Sequence, residues 1–329
     1  MNTEQRTDWF KPKILVSKCL EFDACRYNGD KLNDEIVKLL QDHVQFVPVC
    51  PEVEIGLGVP RNTIRLVNTD KGPRLMEPKT GDDHTHKMAS FTKQFARENQ
   101  EIDGFILKSK SPSCGIYGIK VYSKLEKSSP LYTRSGIFAL NMKAAFPQIP
   151  LEEEGRLTNL EIRNHFLTSI FTIAEFRGML TKGVDVKSLI TFHSRHKLLF
   201  MMYNQTAMRE MGRLLGKMRA NKIKQTADDY FQNMLRLFQR IPSKKSATNV
   251  LMHAFGYFSK RLNKSEKDHF LSLLNDYKNK FTSIHVLNGI LFSWIKRFDE
   301  AYLRQQSFFM PFPEQLVIPL DSGKGRVLK

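Results

Sequence analysis

Three short apolar runs, Ile14–Val16, Val44–Val49 and Phe105–Leu107, each end in a loop that carries a cysteine: Cys19, Cys50 and Cys114. Runs of this kind, bounded by turn residues, read as strands. In open α/β sheets, ligands collect in the crevice beyond the carboxyl ends of the strands. Three thiolates delivered to one such crevice make a soft, three-legged metal site with a coordination position left open. The pattern points to chemistry on a metal rather than to a structural clip.

The chain around these runs alternates strand and helix patterns. A helical stretch is expected from about Lys31 to Gln41, and short extended pieces at Thr63–Val67 and Pro73–Met76. A polar helix over about His84–Asn99, a strand at Ile119–Tyr122 and a helix over Gly136–Phe146 follow. This alternation predicts an α/β, Rossmann-like N-terminal domain with mainly parallel central strands. From about Asn159 the pattern becomes helical almost throughout, which predicts a C-terminal all-α domain. Leu160, His165, Phe166 and Ile170 fall at helical spacing, as do Leu189, Phe192, Leu199 and Phe200. Gly183 interrupts the pattern. Ser265-Glu266-Lys267-Asp268 has the look of a helix start with a capping box, and Thr282–Arg304 reads as one further amphipathic helix. Pro311 and Pro313 close the helical region. At 329 residues, two domains are the natural expectation. The predicted division is 1–180 for the α/β domain, 181–189 for a linker, 190–310 for the helical domain and 311–329 for a tail, mobile or laid over the surface.

Charge separates the two parts. Residues 1–190 carry 27 basic and 24 acidic side chains, whereas residues 191–329 carry 24 basic and 10 acidic. A field of that sign points to a polyanionic partner, most plausibly nucleic acid, set against the plainer reading of a solubilising surface. Four cysteines in a chain this long argue against a disulfide framework. The segment Met1–Lys13 has no apolar core of a secretory signal, and no apolar run is long enough to span a bilayer. A cytoplasmic location is therefore expected.

Each cysteine lies among turn-forming residues that let the backbone bring sulfur close to a bound group. The motifs are Ser17-Lys18-Cys19-Leu20 with Cys25-Arg26-Tyr27-Asn28-Gly29, then Cys50-Pro51-Glu52 with Gly56-Leu57-Gly58-Val59-Pro60-Arg61, then Ser111-Pro112-Ser113-Cys114-Gly115. A lone cysteine is most often a buried small hydrophobe; three at equivalent strand ends weaken that reading. In order and spacing these segments resemble the thiouracil desulfidase family over roughly residues 12–155, through Glu152-Glu153-Glu154-Gly155-Arg156-Leu157. Residues Phe192–Lys217, with FHSRHKLLFMMYNQ and GRLLGK, resemble a helical domain often fused to it. Two-domain proteins of this arrangement are similar to bacterial desulfidases that remove sulfur from 4-thiouridine in tRNA.

The resemblance implies that Cys19, Cys50 and Cys114 hold a 4Fe–4S cluster with one iron not ligated by protein. It implies that Glu52 and Ser111 are the acid–base and hydrogen-bonding residues beside it. The chain departs from the commoner pattern in having Leu20-Glu21-Phe22 and then Cys25 after the first cysteine. That leaves Cys25 as a spectator, the preferred reading, or an alternative ligand. The expected reaction is non-redox conversion of 4-thiouridine in tRNA to uridine with release of sulfide. The alternatives are a desulfidase of free thiolated bases or nucleosides, and a non-enzymatic RNA-binding protein with a structural zinc or cluster site. Arg26, Tyr27 and Arg61, next to the cluster loops, are candidates to orient the base. Arg195, Arg209, Arg213, Lys217 and Arg219, in one basic helical region, are candidates for RNA phosphate, as are Lys244 and Lys245 near Ser243. His193 and His196, three apart on a helix, are read as surface or packing residues rather than metal ligands. Phe192, Tyr203, Phe255, Tyr257 and Phe258 are read mostly as core, with some available to stack on bases.

Overall fold

The computed structural model describes residues 9–317. Its chain divides into two compact units: residues up to Ala174 with the segment from Gln315, and Glu175–Glu314. The expected tail lies outside the described residues from 318 onward, but its first part is packed: Phe312 and Leu316 are buried.

The first unit contains two sheets. Strands β1 (Lys13–Ser17), β2 (Gln45–Val49), β5 (Gly104–Leu107) and β8 (Leu151–Glu153) form an all-parallel sheet in the order β2-β1-β5-β8. Residues Ile14, Leu15 and Val16 of β1 are fully buried, as are Phe105, Ile106 and Leu107 of β5. Continuous apolar runs are what parallel strands covered on both faces require. The chain moves from β1 to β2 on one side and returns to β5 on the other, so the strand order reverses between β1 and β5. That is the position where open α/β sheets leave a crevice.

Strands β3 (Arg65–Thr69), β4 (Gly72–Met76), β6 (Ile119–Tyr122) and β7 (Pro130–Arg134) form a second, mixed sheet, with β3 and β6 parallel at its centre. The extended pieces expected at 63–67 and 73–76 thus belong to a separate layer. Strand β7 escaped sequence reading because it is an edge strand starting at proline, exposed along most of its length. Strand β8 escaped because it is three residues long and ends in two acidic side chains, of which Glu153 is buried. Helices α1 (Glu35–Leu40), α2 (Pro51–Glu54), α3 (Thr85–Glu98) and α4 (Ile137–Ala145) connect the strands. Helix α1 starts later than its pattern suggested because the Asp34 carboxylate caps it, accepting the Val37 amide at 2.9 Å.

The second unit is helical. Helix α5 (Leu160–Thr181) leads into it, and after a turn through Gly183 comes α6 (Val186–Gly216), capped by Asp185. Asn204 breaks the helical geometry of α6 with φ −161° and ψ 108°. Its side chain accepts the Ala207 amide at 3.0 Å and so recaps the second half. Helices α7 (Ile223–Leu237), α8 (Lys244–Gly256), α9 (Lys264–Lys278), α10 (Ile284–Arg297) and α11 (Ala301–Arg304) follow. The capping box of α9 belongs to Asn263 with Glu266, not to Ser265: the amide of each meets the side chain of the other, at 2.8 and 2.9 Å. The single helix expected over Thr282–Arg304 is broken between α10 and α11, where Asp299 takes a φ of 52°.

Aromatic rings fill this unit. Phe176 packs against Phe192, Tyr230 and Phe231 at centroid distances of 5.1–5.5 Å. Phe192, Phe255 and Phe258 are core residues, whereas Tyr257 is exposed. His193 and His196 are packing residues. The His193 ring meets the Tyr230 hydroxyl at 3.0 Å. His196 lies between the Ser307 hydroxyl at 2.7 Å and the Glu175 carboxylate at 3.4 Å.

Two consequences can be measured. A Cβ on Gly136, which precedes α4, would lie 2.5 Å from the Ser113 carbonyl oxygen and 2.6 Å from that of Pro112. Gly136→Ala should therefore cost about 1–3 kcal/mol, read as a lower denaturant midpoint, and displace the loop that carries Cys114. Burial lowers the His193 pKa to about 4. The folded form then binds fewer protons than the unfolded chain below about pH 6.5, so this contribution to stability is lost as pH falls from 6.5 through 4. Denaturant midpoints should drop across that window, and drop less in His193→Gln.

Candidate functional site

Parallel pairing brings the sulfurs together. Strands β1 and β2 run in register from Lys13 opposite Gln45 to Ser17 opposite Val49. The Lys18 amide continues the ladder to the Val49 carbonyl at 2.8 Å. Cys19 and Cys50 thus leave the sheet side by side. On the other flank, the Lys108 amide donates to the Ser17 hydroxyl at 2.9 Å, which ties the exit of β5 to the exit of β1.

The loop from β5 to Cys114 is shaped by Ser111. Its hydroxyl oxygen accepts the Ser113 and Cys114 amides at 3.2 and 3.1 Å, a local turn that places Cys114 facing inward. Two carboxylates from the end of β8 hold the same loop from behind. Glu153 accepts the Ile116 and Tyr117 amides at 2.7 and 3.1 Å. Glu154 accepts the Ser109 amide and hydroxyl, both at 2.7 Å, and pairs with the Lys108 ammonium. These two acids were quoted in the sequence for their resemblance but given no role. Their signal was an acidic run, for which a solvated loop is the ordinary reading.

A cavity of roughly 370 Å³ opens at this point. Its walls include all four cysteines, Glu52, Ser111 and Arg61, with Lys18, Arg26, Tyr27, Lys108 and Lys110 around them. The candidates named from the first half of the sequence therefore share one pocket. Glu52 sits in the first turn of α2, immediately after Cys50. Arg61 grips one of its oxygens, Oε2, with Nε at 2.9 Å and Nη2 at 2.6 Å. The Ser111 hydroxyl lies 3.3 Å from the other, Oε1. Arg61 also donates from Nη1 to the Cys25 and Gly58 carbonyls at 2.9 and 3.0 Å. Its side chain is 6% exposed, so its guanidinium is spent on holding Glu52 and two loops. Arg26 pairs with Asp30 at 3.7 Å and lies over the half-exposed Tyr27 ring.

Cys19, Cys25, Cys50 and Cys114 are all free and buried. Contact with the Cys19 thiol, followed by burial, pushes Cys25 up to about 11. Cys50 is raised well above the usual thiol range by contact with Cys25 and by burial, and Cys114 is raised by desolvation. Thiols so placed stay protonated until a cation offsets their charge, and metal binding would release their protons. The donor set is soft and suits iron–sulfur or zinc chemistry. The spacing bears on the choice. Tetrahedral zinc with Zn–S near 2.3 Å brings its sulfurs to about 3.8 Å from one another. Among the described residues, the donors that lie in threes within 4.8 Å of one another are Glu77, Asp82 and His84, at the β4–α3 corner and outside the pocket walls. Among the described residues, no three of the cysteine sulfurs lie within 4.8 Å of one another, a wider spread than a single tetrahedral zinc draws its sulfurs to.

The candidates from the second unit lie along α6 and just beyond it. Arg209, Arg213, Lys217 and Arg219 are exposed, the first three at four-residue spacing. Arg195 pairs with Glu175 at 3.6 Å. Lys244 donates to the Tyr277 carbonyl at 3.3 Å.

The fold and the pocket define a class: an α/β protein with a thiol-lined crevice at the switch point of a parallel sheet. Residues 14–154 match the model of the 2-thiouracil desulfurase family, and residues 197–313 match that of a family described as a protein of unknown function, DUF1722. An uncharacterised protein of Bacillus subtilis (strain 168), YbbK, is 32% identical over 149 residues, which cover 43% of this chain and 96% of that one. An uncharacterised protein of Escherichia coli (strain K12), YbgA, is 25% identical over 151 residues, covering 45% of this chain and 88% of that one. A solved structure of TudS, a [4Fe-4S]-dependent thiouracil desulfidase, aligns with a TM-score of 0.35 and 25% identity over 45% of this chain and 93% of its own. The chain belongs to the 2-thiouracil desulfurase family. Among the described residues, no helix is long and apolar enough to cross a membrane.

Proposed function

We propose that this protein removes sulfur from a thiolated pyrimidine, exchanging C=S for C=O with release of sulfide, and that its substrate is 4-thiouridine in tRNA. The observation that carries the reaction is the convergence of Cys19, Cys50, Cys114, Glu52 and Ser111 on one pocket, in a chain of the 2-thiouracil desulfurase family. Cys19, Cys50 and Cys114 would hold a 4Fe–4S cluster with one iron not ligated by them. When bound, the cluster supplies a soft Lewis acid for a thiocarbonyl sulfur.

The chain's own residues supply the rest. Glu52 takes a proton from the water that attacks the ring carbon. Arg61 occupies its Oε2 and so fixes the carboxylate, leaving Oε1 as the proton acceptor. The Ser111 hydroxyl, beside Oε1, orients that oxygen. Water adds, sulfide departs, and electrons balance without an external oxidant or reductant. Glu52→Gln should keep its metal content while turnover falls by roughly 10²–10⁴-fold; turnover at the parent rate would remove Glu52 from this role.

Support for tRNA comes from the second unit. Its exposed Arg209, Arg213, Lys217 and Arg219 suit phosphates, and a base inside folded RNA must be turned out to reach a pocket, at roughly a few kcal/mol. Binding through four phosphates should weaken by about a hundredfold between roughly 50 and 200 mM salt. Arg213→Ala with Lys217→Ala should lower the log–log slope by about 2. Free thiouracil is the second reading, favoured by the family description and by a pocket whose walls come from residues 17–114 alone. The deciding assay offers cluster-loaded protein 4-thiouridine-containing tRNA and free 4-thiouracil in parallel, with products measured by mass spectrometry. Conversion of the tRNA nucleoside, lost in Cys50→Ala, supports the first reading. Conversion of the free base alone supports the second.

A further inference from the structure

Five cationic side chains and one carboxylate line the pocket: Lys18, Arg26, Arg61, Lys108 and Lys110, with Glu52. Four of the five cations are spent on carboxylates. Lys18 pairs with Asp23 at 2.9 Å, Arg26 with Asp30 at 3.7 Å, Arg61 with Glu52 at 2.6 Å, and Lys108 with Glu154. Among the described residues, the Lys110 ammonium has no carboxylate partner.

The backbone at Lys110 is also unusual. It takes a φ of 60°, in the left-handed region that glycine or asparagine meets at less cost. The residues on either side fix that conformation. The Ser109 amide and hydroxyl both bond to Glu154 at 2.7 Å, and the Ser111 carbonyl accepts the Gly115 amide at 2.8 Å. A solvated surface lysine does not need this backbone; one held in it at a pocket wall points to a use for its side chain. Lys110 is exposed, whereas the Arg61 and Glu52 side chains are only 6% and 12% exposed. Lys110 therefore stands at the rim, and they lie in the depth.

The chemistry of a thiolated pyrimidine says what belongs at that rim. In 4-thiouridine the sulfur-bearing ring carbon lies across the ring from the nitrogen that carries the sugar. Sulfur seated among the cysteines directs the sugar and its phosphate outward. An ammonium beside a phosphate forms a charge-assisted hydrogen bond. Beside an uncharged free base it gains nothing comparable.

We propose that Lys110 binds the phosphate of the substrate nucleotide and so selects a nucleotide, free or within RNA, over the free base. The inference rests on the desulfidase reading above.

The test is calorimetric titration of the full, cluster-loaded chain with uridine and with uridine monophosphate, the product forms of the two substrates. The parent protein should bind the monophosphate about tenfold more tightly. Lys110→Gln should close that gap, and Lys110→Arg should keep it. Lys110→Gly, which accepts the positive φ, replaces Lys110→Gln if circular dichroism shows that variant unfolded. Equal affinities in the parent, no binding of the monophosphate, or a gap that persists without the lysine overturns the inference. The dinucleotide UpU separates the two sources of phosphate. A Lys110-dependent gain for UpU over uridine assigns RNA, and a gain confined to the monophosphate assigns the free nucleotide. Turnover checks the reaction separately: the ratio of kcat/KM for 4-thiouridine monophosphate to that for 4-thiouridine should fall about tenfold in Lys110→Gln, through KM. If neither compound releases sulfide, the desulfidase reading fails, while the calorimetric gap still decides the role of Lys110.

Discussion

The parallel register of β1 against β2 and β5 is the constraint on which the site depends. A parallel pair cannot be closed by a tight turn, so each strand must be followed by a crossover that leaves from the same edge of the sheet. Because Ser17 lies opposite Val49 and Val16 opposite Ile106, the three exits are level with one another. A slip of one residue would turn every side chain to the other face, scattering the sulfurs as it exposed the core. The same apolar contacts that bury Ile14, Leu15 and Phe105 therefore also set the spacing of the donors.

Around that frame, polar residues do the fine positioning. Ser111 is shared between two tasks, shaping the turn at Cys114 and facing Glu52. Arg61 is shared among three groups, since it grips Glu52, the Cys25 carbonyl and the Gly58 carbonyl. The acid–base residue and the sulfur loops are thus linked through one guanidinium, whose planar fork of donors suits such a role better than an ammonium would.

Much of this was legible in the sequence, for physical reasons that differ by element. Fully buried strands announce themselves as apolar runs, and those containing Val16 and Leu107 were legible for that reason; β2 is buried only at Val49 and was legible from its apolar run alone. Cys19, Cys50 and Glu52 were legible because they follow those runs within three residues, and Cys114 because it sits in the turn-rich Ser111-Pro112-Ser113-Cys114-Gly115 segment beyond Leu107. Edge strand β7 and acidic β8 lack an apolar face, so no periodicity marks them. The true cap of α9 was missed by two residues because Ser265 and Asn263 are both good capping types and only backbone geometry chooses between them. The division of α6 at Asn204 was invisible because its apolar spacing continues across the break. Arg61 was read as a group that orients the base, and its burial against Glu52 needed the three-dimensional arrangement. The His196 contact with Glu175 joins residues 21 positions apart on different helices, which no local pattern reports.

The hold of Glu153 and Glu154 on the Cys114 loop has a consequence for how the protein is made. All four sulfurs have been synthesised once residue 114 has left the ribosome, yet the carboxylates that fix the third arm of the pocket lie about forty residues further on. Domains tend to fold as units while the chain is still growing. A nascent chain that has all its thiols but lacks β8 presents a loop without its rear support. Until then the Cys114 loop lacks the hydrogen bonds that Glu153 and Glu154 supply. Metal delivery timed after the emergence of β8 would meet a finished receptacle, while much of the helical unit is still being translated.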